Sequence, residues 1–213
     1  GIKVGHASNP DAATGCTVIL FEKDGAVTGV DVRGGAPGTR ETAALDPVNI
    51  VPKAHAVYFG GGSAYGLDGA AGVMQFLEEH GVGFPVGVCV VPIVPGAVLF
   101  DLNIRRHDIR PDPKMGYQAC THAVSPNTEE GNVGAGTGAT IGIQSSQYKM
   151  KGGVGTASVR AGNLIVGALV AVNCYGDVIE PETGQIVSGL LNEDRKTFAK
   201  TLTVITRNHA APD

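Results

Sequence analysis

The chain has 213 residues and a formal net charge of −4, enough sequence for one domain with its own core. Its 16 basic residues are scattered, and the lone Arg105-Arg106 pair is too small for a nucleic-acid-binding stripe, so no nucleic-acid partner is expected. Gly, Pro or charged residues interrupt every apolar run before membrane-spanning length, so no membrane segment is expected either.

Cysteine and histidine usage sets the expectations about compartment and cofactors. The four cysteines form no C-x-x-C pair and stand beside apolar residues, which predicts small buried thiols in a reducing compartment: Cys16, Cys89, Cys120 and Cys174. The histidines show no metal-ligand spacing, so we expect neither a metal nor another cofactor. Because the first residues lack the apolar core of a secretory signal, we predict a cytoplasmic protein.

The first half of the chain predicts strands around one helix. The predicted strands are β-rich or apolar runs: 16–21, 26–32, 54–59, 86–93 and 97–102. Asp24-Gly25 predicts a hairpin turn between the first two runs. Apolar residues recur at helical spacing from Leu67 to Leu77, and Gly81 is a plausible end for that helix.

The second half predicts a helix from Asp112-Pro113 to about Val124, with proline suited to the first turn. Four further strands, a last helix and a polar tail follow, at residues 139–143, 155–160, 164–172, 177–179, 193–202 and 207–213. Strands that come in clusters, without regular βαβ alternation, indicate an α+β fold. Several strands are apolar on consecutive residues, which predicts a central sheet covered on both faces.

The segment Gly134-Ala135-Gly136-Thr137-Gly138-Ala139 allows two interpretations. One is a nucleotide-binding loop, although no predicted strand precedes it, no helix follows it and no Gly-Lys-Thr/Ser is present. The other is a glycine-rich segment packed tightly under another element. The first would make the chain a non-catalytic nucleotide or small-ligand binding module.

Asn173 is the leading candidate for a functional side chain, because it directly ends the apolar run 164–172. Its carboxamide could donate a hydrogen bond to the oxyanion of a reacting carbonyl, as in an oxyanion hole. It could instead start a chain reversal, which residue types alone favour, since asparagine is common in turns. Both interpretations stay open on residue types alone.

Four other residues are candidates for functional side chains. Asp101 is an acid within an apolar segment and needs a partner if buried, for which Arg105 or Arg106 is available. Ser63 and Tyr65 stand at the start of the first helix and either cap it or line a substrate pocket. Cys174 is better explained as a packed thiol than as a nucleophile. No complete set of nucleophile, base and orienting group can be assembled from the sequence.

Five blocks occur together, in order, over nearly the whole chain: Gly15-Cys16-Thr17-Val18, Asp31-Val32-Arg33-Gly34-Gly35-Ala36-Pro37-Gly38, Gly60-Gly61-Gly62-Ser63-Ala64-Tyr65-Gly66-Leu67, Gly134-Ala135-Gly136-Thr137-Gly138-Ala139-Thr140 and Val172-Asn173-Cys174-Tyr175-Gly176-Asp177-Val178. With them the chain resembles the larger subunit of one family. That family comprises the L-aminopeptidase/D-esterases, the β-peptidyl aminopeptidases and the nylon-oligomer hydrolases.

The resemblance implies a precursor that cuts itself before a Ser or Thr, which then becomes the N-terminal nucleophile of an amidohydrolase. It implies a four-layer αββα fold in which residues 1–213 form one domain, the α subunit, completed by a separate β chain. The cut is expected downstream of Asp213. Small peptides or amides are the implied substrates, and an oligomer of αβ units is the implied assembly. The ornithine acetyltransferases, which also self-process at a threonine, make acyl transfer the nearest alternative.

The resemblance also implies roles for single positions. Asn173 matches the asparagine assigned to the family's oxyanion hole. Ser63, Tyr65 and Asp101 remain candidates for substrate binding. Ile143 occupies the position at which nylon-oligomer hydrolases have a catalytic lysine, so the chain departs from that branch. Either Lys149 or Lys151 substitutes for that lysine, or its role is dispensable here.

Overall fold

A computed structural model of the chain describes residues 1–127, 129–142 and 147–209. Its longer elements are the strands β1 (Lys3–Asn9), β2 (Thr14–Leu20), β6 (Ala56–Gly60), β12 (Gly153–Ala161) and β13 (Leu164–Val172) and the helices α1 (Gly69–Glu79), α2 (Pro113–Thr121) and α3 (Thr201–His209). The shorter strands are β3 (Ala26–Val27), β4 (Thr39–Arg40), β5 (Lys53–Ala54), β7 (Phe84–Pro85), β8 (Val90–Val91), β9 (Gly96–Val98), β10 (Thr140–Ile141), β11 (Met150–Lys151), β14 (Val178–Ile179) and β15 (Ile186–Ser188).

A five-stranded sheet in the order β1-β2-β6-β9-β4 forms the centre of the fold. Its neighbours run antiparallel except for the parallel pair β6–β9. The hairpin predicted between residues 16–21 and 26–32 is wrong. Gly25 does make the predicted turn, donating to the carbonyl of Glu22, but β3 then pairs with β5 while β2 pairs with β1 and β6. Seven paired residues of β1 outweigh the local turn signal.

Helices α1 and α2 cover one face of this sheet. Asp112 caps α2 by accepting a hydrogen bond from the N–H of Met115, and Pro113 occupies the first turn as predicted. The helices cross closely because Gly72 and Gly116 let their backbones touch. The core between helices and sheet includes Cys16, Val18, Leu20, Tyr58, Val73, Leu77 and Cys120. No helix in the described ranges is long and apolar enough to cross a membrane.

The opposite face of the sheet is only partly covered. Residues 134–141 pack there, and Leu99, Ala135 and Ala139 join Phe59 and Ala171 in a second core cluster. The long hairpin β12–β13 begins at this cluster and then extends into solvent, with Val159, Leu164 and Val166 more than half exposed. The predicted cover on both faces is therefore incomplete within this chain.

The predicted strands 26–32, 86–93 and 97–102 are reduced to β3, β8 and β9, and the last helix and one cysteine also differ from the predictions. The last helix is α3, at Thr201–His209, and residues 193–197 form a turn in which Asp194 accepts from the N–H groups of Lys196 and Thr197. Cys16 and Cys120 are buried and Cys174 is half-buried, but Cys89 is exposed, so the prediction of buried thiols is wrong there. Cys89 lies in the turn between the short strands β7 and β8, where no core forms.

Candidate active site

Three consecutive residues, Leu99 to Asp101, connect the parts of the candidate site. The N–H of Leu99 donates to Gly60, and its carbonyl accepts from the N–H of Ser63 at 2.9 Å. The N–H of Phe100 donates to Oδ1 of Asn173 at 2.8 Å. This segment follows β9, so the end of a central strand brings the glycine turn after β6 next to the end of β13.

Asn173 has a carboxamide fixed at both ends. Besides the bond from Phe100, its Nδ2 donates to the carbonyl of Thr140 at 3.1 Å. Nδ2 carries two hydrogens, and the second has no protein partner among the residues that the structure describes. The side chain is half-buried. A held amide with one unused N–H is the arrangement that an oxyanion donor requires.

Asp101 is 4% exposed, and neutral groups bind both of its carboxylate oxygens. Oδ2 accepts from the hydroxyl of Thr14 and Oδ1 from the N–H of Gly62, both at 2.7 Å. Burial raises the pKa of this carboxyl, while the two hydrogen bonds oppose that rise. The expected arginine partner is not found: Arg105 donates to the carbonyl of Pro10, and Arg106 pairs with Asp108.

Ser63 and Tyr65 lie on the turn that leads into α1. Ser63 is held through its backbone N–H, in a left-handed conformation with φ +55°, beside Leu99. Tyr65 is 62% exposed, and the guanidinium of Arg110 stacks over its ring at 3.9 Å. Neither side chain caps a helix. Ser63 and Asn173 thus bond the same three-residue segment that contains Asp101, through Leu99 and Phe100 respectively, while Tyr65 contacts Arg110.

The glycine-rich segment 134–140 is buried and folds as a short 3-10 helix, Gly134–Gly136, followed by β10. Its N–H groups form hydrogen bonds inside the protein. Those of Gly134 and Ala135 donate to the side-chain oxygens of Ser8 and Thr17, respectively. Those of Gly136, Thr137 and Ala139 donate to the backbone carbonyls of Val133, Gly134 and Gly136, respectively. A phosphate-binding loop needs free N–H groups at the start of a helix. The packed interpretation therefore fits this segment, and the nucleotide-binding interpretation does not.

The remaining candidate residues, one cysteine and two lysines, show no arrangement that would make them catalytic. Burial raises the pKa of the Cys174 thiol, whose Sγ contacts the carbonyl of Gly176, so it is a poor nucleophile. Lys149 donates to Asn103 at 3.0 Å, and burial lowers its pKa. Lys151 is exposed, and Ile143 lies outside the described residues. Nowhere in the described ranges do three His, Cys, Asp or Glu side chains gather as metal ligands.

A cleft of about 460 Å³ lies on the face of the sheet away from the helices. Val57, Phe59 and Ala97 form its apolar floor, and residues 28–33 and 36–39 form its wall. Phe59 also packs with Leu99 and Ala171, two residues before Asn173, but Ser63, Asp101 and Asn173 do not line the cleft. Such a floor suits the apolar part of a small substrate.

The sequence profile of peptidase family S58 matches residues 1–207. The chain belongs to peptidase family S58. An "uncharacterized aminopeptidase" of Mycobacterium tuberculosis is 48% identical over 193 residues, which cover 86% of this chain and 54% of that protein. A 6-aminohexanoate-oligomer endohydrolase of Kocuria sp. is 34% identical over 197 residues, covering 92% of this chain and 52% of the relative. This S58 chain thus spans about half the length of the curated relatives it matches.

Solved structures show the same fold. The L-aminopeptidase D-Ala-esterase/amidase of Ochrobactrum anthropi, described as a variant of the Ntn-hydrolase fold, aligns with a TM-score of 0.62 and 19% identity over 82% of this chain and 51% of its own. A β-aminopeptidase of Burkholderia sp. aligns with a TM-score of 0.60 and 24% identity over 82% and 50%. The predicted α+β, Ntn-hydrolase-like fold and the predicted family are confirmed for this S58 chain.

Proposed function

We propose that this S58 chain is the larger of two chains cut from one precursor, and that the assembled protein hydrolyses small peptides or amides. A Ser or Thr at the new N-terminus of the second chain attacks the substrate carbonyl, and a C–O bond forms. The hydroxyl proton of the nucleophile passes, through the α-amine of its own chain or a neighbouring group, to the leaving amine as the C–N bond breaks. Water later cleaves the acyl ester to a free acid and restores the hydroxyl.

The observation that carries this proposal is the held carboxamide of Asn173. Attack on the carbonyl places a negative charge on its oxygen, and a preorganised N–H donor stabilises that charge. The second N–H of Nδ2 is available for this task, and the bonds to Phe100 and Thr140 already fix the amide plane. A backbone N–H supplies the other donor in the proposed oxyanion hole.

The hairpin β12–β13 supports the proposed second chain. Paired residues share a face of a sheet, and one face of this hairpin is built from apolar pairs such as Val159–Val166 and Ala161–Leu164. These side chains are exposed, and an isolated two-stranded hairpin is marginally stable in water. The second chain completes this sheet and supplies the layers missing from the four-layer sandwich. Assembly into an oligomer of two-chain units and a cytoplasmic location belong to the same proposal.

The test uses the complete reading frame that encodes this chain. Intact mass is expected to show two chains, and amino-acid p-nitroanilides are expected to be hydrolysed. Asn173→Ala should lower kcat by a factor of about 100 or more, the scale of losing one oxyanion-hole donor. KM should change little, because the interaction forms in the transition state. Asn49→Ala is the matched control, since Asn49 Nδ2 donates to the carbonyl of Ala43 in an exposed loop, and its kcat should stay unchanged.

Two outcomes would contradict the proposal. A processed Asn173→Ala enzyme with wild-type kcat would remove Asn173 from the mechanism. A complete product that forms no second chain and cleaves no amide would remove the proposed activity. Adding a free amino acid as acceptor separates hydrolysis from acyl transfer, because hydrolysis yields free acid and transfer yields an acylated amino acid.

A further inference from the structure

The carboxylate of Asp101 lies between two of the glycine blocks. A Cβ on Gly61 would collide with Oδ2 of Asp101, and a Cβ on Gly138 would lie 2.6 Å from the Cβ of Asp101. The missing side chains of Gly61 and Gly138 therefore make the room that Asp101 occupies. Its bonds to Thr14 and to the N–H of Gly62 then tie the start of β2 and the turn after β6 to one carboxylate.

Both partners of the Asn173 amide belong to segments that contact this carboxylate. Phe100, which donates to Oδ1 of Asn173, is the residue directly before Asp101. Thr140, which accepts from Nδ2, lies two residues after Gly138. A shift of Asp101 consequently moves the donor and the acceptor that set the orientation of the amide.

Stability alone does not account for a carboxylate at this position. A buried charge is costly unless it is paired, and Asp101 has neutral partners while Arg105 and Arg106 bind elsewhere. An apolar residue of similar volume would avoid that cost, but it could not accept from Gly62 and Thr14 simultaneously. The carboxylate is suited to fixing the relative positions of the three segments around it.

We propose that Asp101 is a positioning residue, which holds Phe100 and the 138–140 segment so that the Asn173 amide points its unused N–H into the active site. This inference rests on the proposed function. It replaces direct substrate binding by Asp101, because the residue is only 4% exposed and its carboxylate already accepts from two protein donors.

The test compares Asp101→Ala with Asp101→Asn in the complete, processed enzyme, with kcat normalised to the concentration of active sites. Asp101→Ala loses both bonds and should lower kcat roughly 10- to 100-fold with KM little changed, as expected when a catalytic donor moves by about an ångström. In Asp101→Asn the amide oxygen can accept from Gly62 and the NH₂ can donate to the Thr14 oxygen, so most of the kcat should return. An Asp101→Asn enzyme as impaired as Asp101→Ala would overturn the positioning role.

The deciding measurement is a double-mutant cycle with Asn173→Ala. If Asp101 acts through Asn173, the double variant Asp101→Ala/Asn173→Ala has the same kcat as Asn173→Ala alone. If the kcat losses of the two single variants multiply in the double variant, the two residues act independently and the inference is overturned. Thr14→Val removes only one of the two bonds and keeps the volume, so it supplies the same cycle with a smaller loss if Asp101→Ala does not fold.

His55→Ala is the matched control for a purely structural effect. His55 is also 4% exposed, and it also accepts a hydrogen bond from a backbone N–H, that of Ile93 at 3.0 Å. His55→Ala should lower the Tm and leave kcat per active site unchanged, and an equal kcat loss in this control would assign the Asp101 effect to stability. The proposed function is tested separately by Asn173→Ala alone, so its failure is distinguishable from a failure of the Asp101 inference.

Discussion

Asparagine is suited to the end of β13 because its short amide both accepts and donates. An aspartate at position 173 could still accept from Phe100, but it would leave the carbonyl of Thr140 without a donor and would repel an oxyanion. The neighbouring glycines contribute differently, through the volume they leave free. Gly138 touches Asp101 and the carbonyl of Ala13 at the same time, so no side chain fits there.

We therefore expect Gly138→Ala to disturb the site through packing. The new methyl group would lie 2.6 Å from Asp101 Cβ and against the backbone of Ala13, neither of which can move freely. Overpacking of this kind should cost about 1–3 kcal/mol of unfolding free energy, measured as a lower Tm of the complete enzyme. Gly35→Ala is the control, because a methyl group on Gly35 would meet no atom within 4 Å in the described part of the chain beyond its two neighbours in sequence. Equal Tm values for the two variants would contradict the packing argument.

At the scale of elements, buried polar side chains join strands that are distant in sequence. His55 lies between β5 and β6, and its own backbone bonds Phe21 and Ile93 as well. Its Nδ1 must be unprotonated to accept from Ile93, and burial lowers the pKa of this imidazole, with Lys53 helping and Glu41 opposing. The neutral ring is thus part of how residues 90–94 attach to the sheet.

This arrangement predicts a loss of stability in mild acid. Because the pKa of His55 is lower in the folded protein than its ordinary value of about 6.5, the unfolded chain takes up the proton first. The contribution of neutral His55 to the free energy of unfolding is complete above about pH 6.5 and is lost as the pH falls below that value. His55→Asn keeps an acceptor but cannot titrate, so the fall in Tm between pH 7.5 and pH 5 should be smaller than in the wild type. His6, whose pKa burial also lowers, accounts for part of the remaining slope. An unchanged slope would exclude His55 as a source.

Local sequence signals predicted single helices and strands better than they predicted which strands pair or which residues contact each other. The apolar spacing of α1, the Asp112-Pro113 start of α2 and the long apolar run of β13 all lie within one element, and each was predictable. The pairing of β2 with β1 and β6 depends on long-range contacts, so the Asp24-Gly25 turn gave the wrong neighbour. The candidate site follows the same rule. Asn173 was found from its place after a strand, but its partners are 73 and 33 residues away in sequence.

For the whole molecule, the main feature is a core that is complete on one side of the sheet and open on the other. Helices α1 and α2 bury the strands β2 and β6 on the first side, while β12–β13 exposes apolar side chains on the second. Exposed apolar faces of this kind mark interaction surfaces. The proposed second chain is the occupant that fits, since this chain spans about half the length of its relatives.

We therefore expect a charge on the exposed apolar face of the β12–β13 hairpin, the face with the Val159–Val166 pair, to prevent assembly of the two proposed chains. Val166 is 53% exposed and pairs with Val159 on this face, so Val166→Lys should leave the isolated chain's fold intact while placing an ammonium group in the proposed interface. Copurification of the two chains and size-exclusion chromatography should show loss of the complex and of amide hydrolysis. Val88→Lys is the matched control, since Val88 is 94% exposed in the β7–β8 turn, away from the hairpin, and its complex should form normally. A Val166→Lys enzyme that assembles and turns over like Val88→Lys would mean that this face of the hairpin is not covered by the second chain.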